Sequence, residues 1–370
     1  MRVLSVQLRD FRTYARAEAN LGEGLTVVHG PNGAGKSNLL EAIYYGCTAR
    51  SPRTRNEREL IRFGAQAARV AVRFADGEHE HELTVAYGVS GARAGKRMSS
   101  DGAPVEHLLD LAQRPLVGVF APDRLELIKG PPAQRRAHLD QLVAALWPAR
   151  SADRRAYGRV LAQRNALIAR LRAGRATPQT LSAWDRELAA AALALRGHRE
   201  QAVALLADPF SERARGLGSN GDVRLHYRPG ASAPDADEFV RELEARLQSD
   251  LERGYTGYGP HRDELAIVRD GRELRSFGSQ GEQRLALLAL LLAERAVLAR
   301  ERDQIPLMLL DDVMSELDGQ RREQLAEELR ADGQSVIATT DLSHVPGSSD
   351  ARTARLRVSP GTILQEAIAA

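Results

Sequence analysis

The sequence predicts an α/β fold, a mixed sheet with flanking helices, split by a mainly helical lobe. Three observations predict it. Near the N-terminus, GPNGAGKS stands between an apolar strand-like run, LTVVH, and a helix-like run, NLLEAIYYG. Far along the chain, IPLMLLDD is a second apolar run that ends in two acids, Asp311 and Asp312. Between them, from about Ser151, alanine-, leucine- and arginine-rich stretches carry helical periodicity.

Taken in order, VLSVQL and LTVVHG read as strands, and ARVAVRFADGEHEHELTVAYG as a hairpin turning at Asp76-Gly77. LVGVF is a further buried strand, and PPAQRRAHLDQLVAALW a helix stopped by Pro148. SADRRAYGRVLAQRNALIARLR places Tyr157, Val160, Leu161, Leu167, Ile168 and Leu171 on one helical stripe. Gly174 loosens its end. Thr177-Pro178 is then a cap and first-turn pair for a second helix, giving a hairpin of two helices of ~22 to 28 residues. A short strand at VRLHY and one helix over DADEFVRELEARLQSDLERG complete the lobe. Alternation resumes past Gly254, with a hairpin over Asp270-Gly271, a long helix, the IPLMLLDD strand, a helix over GQRREQLAEELR, and the strand QSVIATT. The expected division is an ATPase lobe from 1–149 and 255–370, with the helical lobe at 150–254.

Composition narrows the class. With 370 residues, 43% apolar and 27% charged, the chain is expected to be globular with a substantial core. A single cysteine, Cys47, excludes an internal disulfide and fits a reducing cytosol. The longest apolar stretch, Leu285 to Ala293, falls far short of a membrane span, and no leader is visible, so a cytoplasmic protein without a membrane partner is expected. Net charge is only +3, and arginine supplies nearly all the cations; Lys36, Lys96 and Lys129 are the only lysines.

The chemistry begins at residues 30 to 38: Gly30, Pro31, Asn32, Gly33, Ala34, Gly35, Lys36, Ser37 and Asn38. Glycines let successive N–H groups converge on a polyphosphate, and the helix N-terminus adds partial positive charge. In this pattern Lys36 meets the outer phosphates and Ser37 ligates Mg²⁺. A second metal contact must come from a carboxylate at a strand end, and Asp311 is placed for it. Alternation turns Asp312 to the other side, where it is expected to orient or deprotonate an attacking water.

GPNGAGKSNLLEAI, APDRLELIKGPPAQRRAHLD, GYGPHRDEL, and SFGSQGEQR with the later LLDDVMSELD together resemble the ABC-type ATPases of the SMC class. Within it they resemble most the RecF family of bacterial recombination mediators. Pro131 and His138 depart from that pattern, away from the nucleotide chemistry. The resemblance implies that Ser279, Gly281 and Gln283 cap the γ-phosphate held by a second subunit, and that Ser315 and Asp318 cross the same interface. Two ATP molecules would then close a homodimer, and slow, DNA-stimulated hydrolysis would release it. It further implies binding to double-stranded and gapped DNA, work with RecR and RecO in loading recombinase, and roles in gap repair, replication restart and SOS induction. Where ABC proteins usually carry a sensor histidine, this chain reads Thr339-Thr340-Asp341. GPHRDE, with His261 and Arg262, matches the family without an evident role.

Residues 150 to 175 hold eight arginines against one acid, Asp153. Arg155, Arg159 and Arg170 fall opposite the apolar stripe, where they suit a phosphate backbone. SPRTRNERELIR, with Arg53 and Arg55, is a second basic stretch, and neither has the aromatic interleaving of a base-stacking surface. A monomeric phosphate-loop kinase or a transporter's nucleotide-binding subunit are the alternatives, and both leave part of the pattern unexplained.

Overall fold

The computed structural model describes residues 1–90, 94–111 and 113–366. Two compact units divide the chain: residues 1–125, 213–220 and 280–370 form the first, and 126–212 with 221–279 the second.

The first unit is built on two six-stranded sheets. One runs β2-β1-β4-β5-β6-β7, from β1 (Arg2–Phe11), β2 (Tyr14–Asn20), β4 (Ala67–Asp76), β5 (His79–Gly88), β6 (Gly95–Ser100) and β7 (Ala103–Pro104), all antiparallel. The other runs β15-β14-β3-β13-β12-β8, from β3 (Leu25–His29), β8 (Val117–Phe120), β12 (Leu307–Asp311), β13 (Ser335–Thr339), β14 (Ala354–Ser359) and β15 (Thr362–Glu366). It is parallel except for the β14–β15 hairpin. The continuous apolar runs of β3, β12 and β13 suit parallel strands covered on both faces. Helix α1 (Lys36–Thr48) shares one core with both sheets through Leu39, Ile43 and Tyr45. Gly46 has no room for more, since a Cβ there would stand 2.3 Å from Val72. Helices α9 (Gln280–Arg302) and α10 (Gly319–Ala331) complete this unit. Among the described residues no helix is long and apolar enough to cross a membrane.

The second unit carries α2 (Glu126–Lys129), α3 (Pro132–Leu146), α4 (Ser151–Arg172), most of α5 (Ser182–Gly216), α6 (Ala236–Ala245), α7 (Leu247–Arg253) and α8 (Leu274–Phe277). A three-stranded sheet, β11-β10-β9, joins β9 (Val223–Arg228), β10 (Glu264–Arg269) and β11 (Arg272–Glu273). These units divide the chain elsewhere than at 149 and 254. The reason is pairing: β10 lies along the whole of β9, from Glu264↔Arg228 to Arg269↔Val223. Arg135 of α3 is buried and clamps Glu264 through two bonds of 2.6 and 2.8 Å.

Local details differ from the sequence reading. The β4–β5 ladder closes at Asp76↔His79, so the turn is Gly77-Glu78, one residue later than Asp76-Gly77. Asp270-Gly271 turns as expected, both with positive φ. Helix α5 has 35 residues, longer than expected, because it continues through Pro209 to Gly216. Thr177 caps nothing with its side chain and is followed by a 3₁₀ turn at Pro178–Leu181. The helix expected over 235–254 is two, hinged at Arg246; Asp235 caps the first by accepting from the Glu238 N–H at 2.8 Å.

GPHRDE organises the second unit's interior. Asp263, 1% exposed, accepts from Arg199 and the Gly230 N–H at 2.7 Å each and from the Tyr227 hydroxyl. His261 Nε2 lies 2.8 Å from the Thr256 carbonyl and Nδ1 2.6 Å from the Tyr157 hydroxyl. A carbonyl only accepts, so Nε2 carries the proton and Nδ1 takes the tyrosine's: the ring is neutral. Burial holds its pKa below the ordinary 6.5, with nearby Arg262 and Arg136 acting in the same direction. A histidine depressed in the folded state keeps the fold's stability whole above 6.5 and loses it as pH falls below that value, because the unfolded chain takes the proton first. The parent chain should therefore lose more Tm between pH 7.5 and 5 than His261→Gln, which keeps one donor and one acceptor. Equal losses by calorimetry would contradict a neutral, proton-excluding His261. Arg262, by contrast, is exposed.

Candidate nucleotide site

Strand β3 ends at His29, the chain turns through residues 30 to 35, and α1 starts at Lys36. Two glycines are dictated by the backbone. Gly30 has φ 152°, and a Cβ would lie 2.2 Å from the Val358 carbonyl oxygen; Gly35 caps α1 at φ 115°, pressed against Tyr14 and Thr13. Pro31, Asn32 and Gly33 are exposed, and Ala34 is buried beneath them. The Lys36 ammonium donates to the carbonyls of Gly30 and Pro31 at 2.8 and 3.0 Å, closing the loop on itself. Burial lowers its pKa, and Asp311 and Asp312 oppose that shift.

The register of the parallel sheet delivers the acids to this loop. Asp311 pairs with Ala338, and Thr339 with His29, so the ends of β12, β13 and β3 share one edge. Asp311 accepts a hydrogen bond from Ser37. Its carboxyl is raised above the usual range, by burial first and by neighbouring Asp312, while Ser37, Arg53 and Lys36 oppose the rise. Asp312 leaves the strand in a left-handed conformation, φ 53°, and its N–H donates to Ala338 at 3.1 Å. Its Oδ1 is buried with no hydrogen-bond partner. An unpartnered buried carboxylate oxygen is costly.

Thr340 follows directly, exposed, one residue past the Thr339–His29 pair and two past the Ala338–Asp311 pair. Its flanking groups are occupied: the Thr339 hydroxyl donates to the Asp341 carbonyl at 2.9 Å, and Asp341 Oδ1 accepts from the Ser343 N–H and hydroxyl at 2.9 and 2.8 Å. Ser315, exposed, donates to the Asp312 carbonyl at 2.8 Å, and Asp318 caps α10 by accepting from the Arg321 N–H at 2.9 Å. At the head of α9, Ser279 and Gly281 are exposed whereas Gln283 is turned inward, 6% exposed. In α4, Arg155, Arg159 and Arg170 are exposed, as is Arg55. Arg53 instead serves the phosphate loop: it donates to Asn38 Oδ1 at 3.1 Å and pairs with Glu41 at 3.5 Å.

Sequence reasoning missed the braces of the loop. Glu41, 1% exposed, takes both ends of Arg12 at 2.8 Å and the Ser51 hydroxyl at 2.6 Å. The Tyr14 hydroxyl donates to the Gly35 carbonyl at 2.9 Å, and Asn38 donates to Thr13 at 3.1 Å. The β1–β2 turn thereby fixes the start of α1. No pattern in the sequence announces that a turn about 20 residues upstream holds the loop; a Glu within the apolar run of α1 is the only trace.

A glycine-rich loop between strand and helix, set beside an Asp-Asp strand end on a mixed sheet, defines an ABC-type ATPase of the SMC class. The family model described as RecF/RecN/SMC N terminal domain matches residues 2–351. The DNA replication and repair protein RecF of Myxococcus xanthus is 37% identical over 98% of this chain and 97% of its own, and that of Heliobacterium modesticaldum 35% over 93% of each. The solved structure of the recombination mediator protein RecF-ATP in the RecFOR pathway superposes with a TM-score of 0.88 at 26% identity, covering 99% of this chain and 98% of that one. An SmcHead structure shares the fold, with a TM-score of 0.59 at 16% identity, over 100% of this chain and 98% of that one. The chain belongs to the RecF family.

Proposed function

We propose that this chain is an ATP-dependent DNA-binding protein of recombinational repair, working in the cytoplasm. ATP closes two copies on duplex DNA near single-strand gaps, and slow, DNA-stimulated hydrolysis opens them. RecR and RecO are its expected partners in loading recombinase, with consequences for replication restart and SOS induction. Support comes from the family, from relatives named for DNA replication and repair, and from a RecF solved with ATP.

The residues divide the work. Backbone N–H groups of 30 to 38 and the Lys36 ammonium receive the phosphates once the lysine exchanges its carbonyl partners for them. The Ser37 hydroxyl and Asp311 carboxylate, already hydrogen-bonded, form a pair of hard oxygen donors that fits Mg²⁺. When bound, that ion would offset charge on the outer phosphates. Asp312 accepts a proton from, or orients, the attacking water. Thr340 offers a hydroxyl to the γ-phosphate where relatives of the wider class place histidine.

The single observation that carries the dimer is Gly281. It sits in the first turn of a 23-residue helix, yet a Cβ there would meet nothing within 4 Å, so none of the described residues requires a glycine there. Glycine costs helix stability, and close approach of a partner's phosphate is a reason to keep it. Ser279, one residue before α9, is exposed as well. Ser279→Arg should leave ATP binding by the single chain intact and raise the dimer dissociation constant in ATP at least tenfold, as read by sedimentation velocity across a concentration series, which a loss of more than about 1.4 kcal/mol in association would do. Dimers of parental stability would refute the shared site.

A further inference from the structure

The outer face of the six-stranded antiparallel sheet holds a row of arginines that no motif announces. Arg16 of β2 stands directly opposite Arg9 of β1, and Arg9 directly opposite Arg69 of β4. The same ladder step continues through Ala86 of β5 to Arg97 of β6. All four arginines are exposed. Five strands at a spacing of about 4.8 Å make this row about 19 Å long, the axial length over which one strand of a duplex places five or six phosphates.

Like charges set directly opposite on a sheet destabilise it. For Arg9 and Arg16 the repulsion is unrelieved: their side chains make no ion pair or hydrogen bond with any described residue. The nearby acids are engaged elsewhere. Asp10 holds Arg62 at 2.8 Å, and Glu18 takes the Gln7 amide at 3.3 Å. Arg69 reaches Glu82 only at 3.7 Å and donates to Thr84 at 3.3 Å. The adjacent row, Glu18, Gln7, Ala71, Thr84 and Ser99, has short or neutral side chains apart from Glu18 and no aromatic ring. A ring-free row on which Arg9 and Arg16 have no ion pair among the described residues fits a sugar–phosphate backbone and lacks what base stacking requires.

We infer that Arg9, Arg16 and Arg69 form a contact surface for the backbone of duplex nucleic acid on the outer face of this sheet, separate from the arginines of α4. This assignment rests on the reading of the chain as a DNA-binding protein. It is tested with the full chain in ATP, by fluorescence anisotropy on a blunt duplex across a salt series. The parent chain is compared with R9Q/R16Q/R69Q, R9K/R16K/R69K and R155Q/R159Q/R170Q. The glutamine triple should lose at least tenfold in affinity at low salt. It should also flatten the slope of log K against log salt by about 2 to 3, since each phosphate left without its arginine removes about 0.9 from that slope. The lysine triple should keep the slope. Single R9Q should melt no lower than the parent, because it removes a repulsion; a merely structural arginine would melt lower. An unchanged slope in the glutamine triple overturns the assignment, and so does a loss confined to the α4 triple. A parent chain that fails to bind duplex ends the DNA reading itself.

Discussion

Asp312→Asn is expected to bind ATP as the parent does and to lose turnover by about 10²- to 10⁴-fold, the usual worth of a positioned proton acceptor. The substitution is well matched to the site. Asn has the size of Asp and, like it, tolerates the left-handed backbone that Asp312 adopts at φ 53°. The N–H bond to the Ala338 carbonyl is untouched, so the strand end keeps its form. What changes is the oxygen that lies buried without a partner. In the proposed role a carboxylate takes up a proton from water, whereas an amide can accept a hydrogen bond but not the proton. Asp311→Asn should behave differently, because Asp311 is hydrogen-bonded to Ser37 and is proposed to hold Mg²⁺ with it: nucleotide affinity in Mg²⁺ should fall along with turnover. Phosphate release under saturating ATP, read beside equilibrium binding of a fluorescent analogue, separates the two. Turnover of Asp312→Asn within about threefold of the parent would remove it from the chemistry.

The parts of this site that lie within one short stretch are legible in the sequence. Gly30 to Ser37 and the Asp311-Asp312 pair stand out because local chemistry fixes both residue types and spacing. The parallel sheet that brings them together follows from apolar runs too continuous for a half-exposed strand. What escapes the sequence depends on distant pairings. Nothing local says that Glu41 is buried beneath Arg12, or that the Tyr14 hydroxyl reaches Gly35. The boundaries at 149 and 254 follow composition, whereas the ladder between β9 and β10 runs across the second of them. Motif groups Gln283 with Ser279 and Gly281, yet in a helix a residue two positions on from Gly281 points to the opposite side, and here that side is the core.

Arg164 is the clearest case, and its removal should have the largest effect on stability. By composition it belongs with the arginines of a basic helix, although it stands at the spacings of three, four and seven residues that join it to Leu161, Ile168, Tyr157 and Leu171. The structure buries it completely, with bonds of 2.7 Å to Asp185, 2.7 Å to Asp250 and 2.8 Å to the Thr256 hydroxyl. Asp185 nevertheless has a raised pKa, because burial outweighs the attraction of its arginine. The cluster therefore holds geometry more than it adds net stability. Removing one partner is another matter. Arg164→Ala leaves two buried carboxylates without a cation and should cost about 3–5 kcal/mol in urea unfolding. The sign with pH follows. In the variant Asp185, already raised by burial, loses the arginine that opposes the rise, so stability is regained as pH falls and a proton neutralises it, and the deficit against the parent should shrink from pH 7 toward pH 4. Adding Asp185→Asn and Asp250→Asn to Arg164→Met should recover much of the loss at pH 7, since amides still accept the Gly257 N–H that Asp250 holds at 2.9 Å. A deficit independent of pH would mean that the missing packing of a large side chain, and not stranded charge, sets the cost.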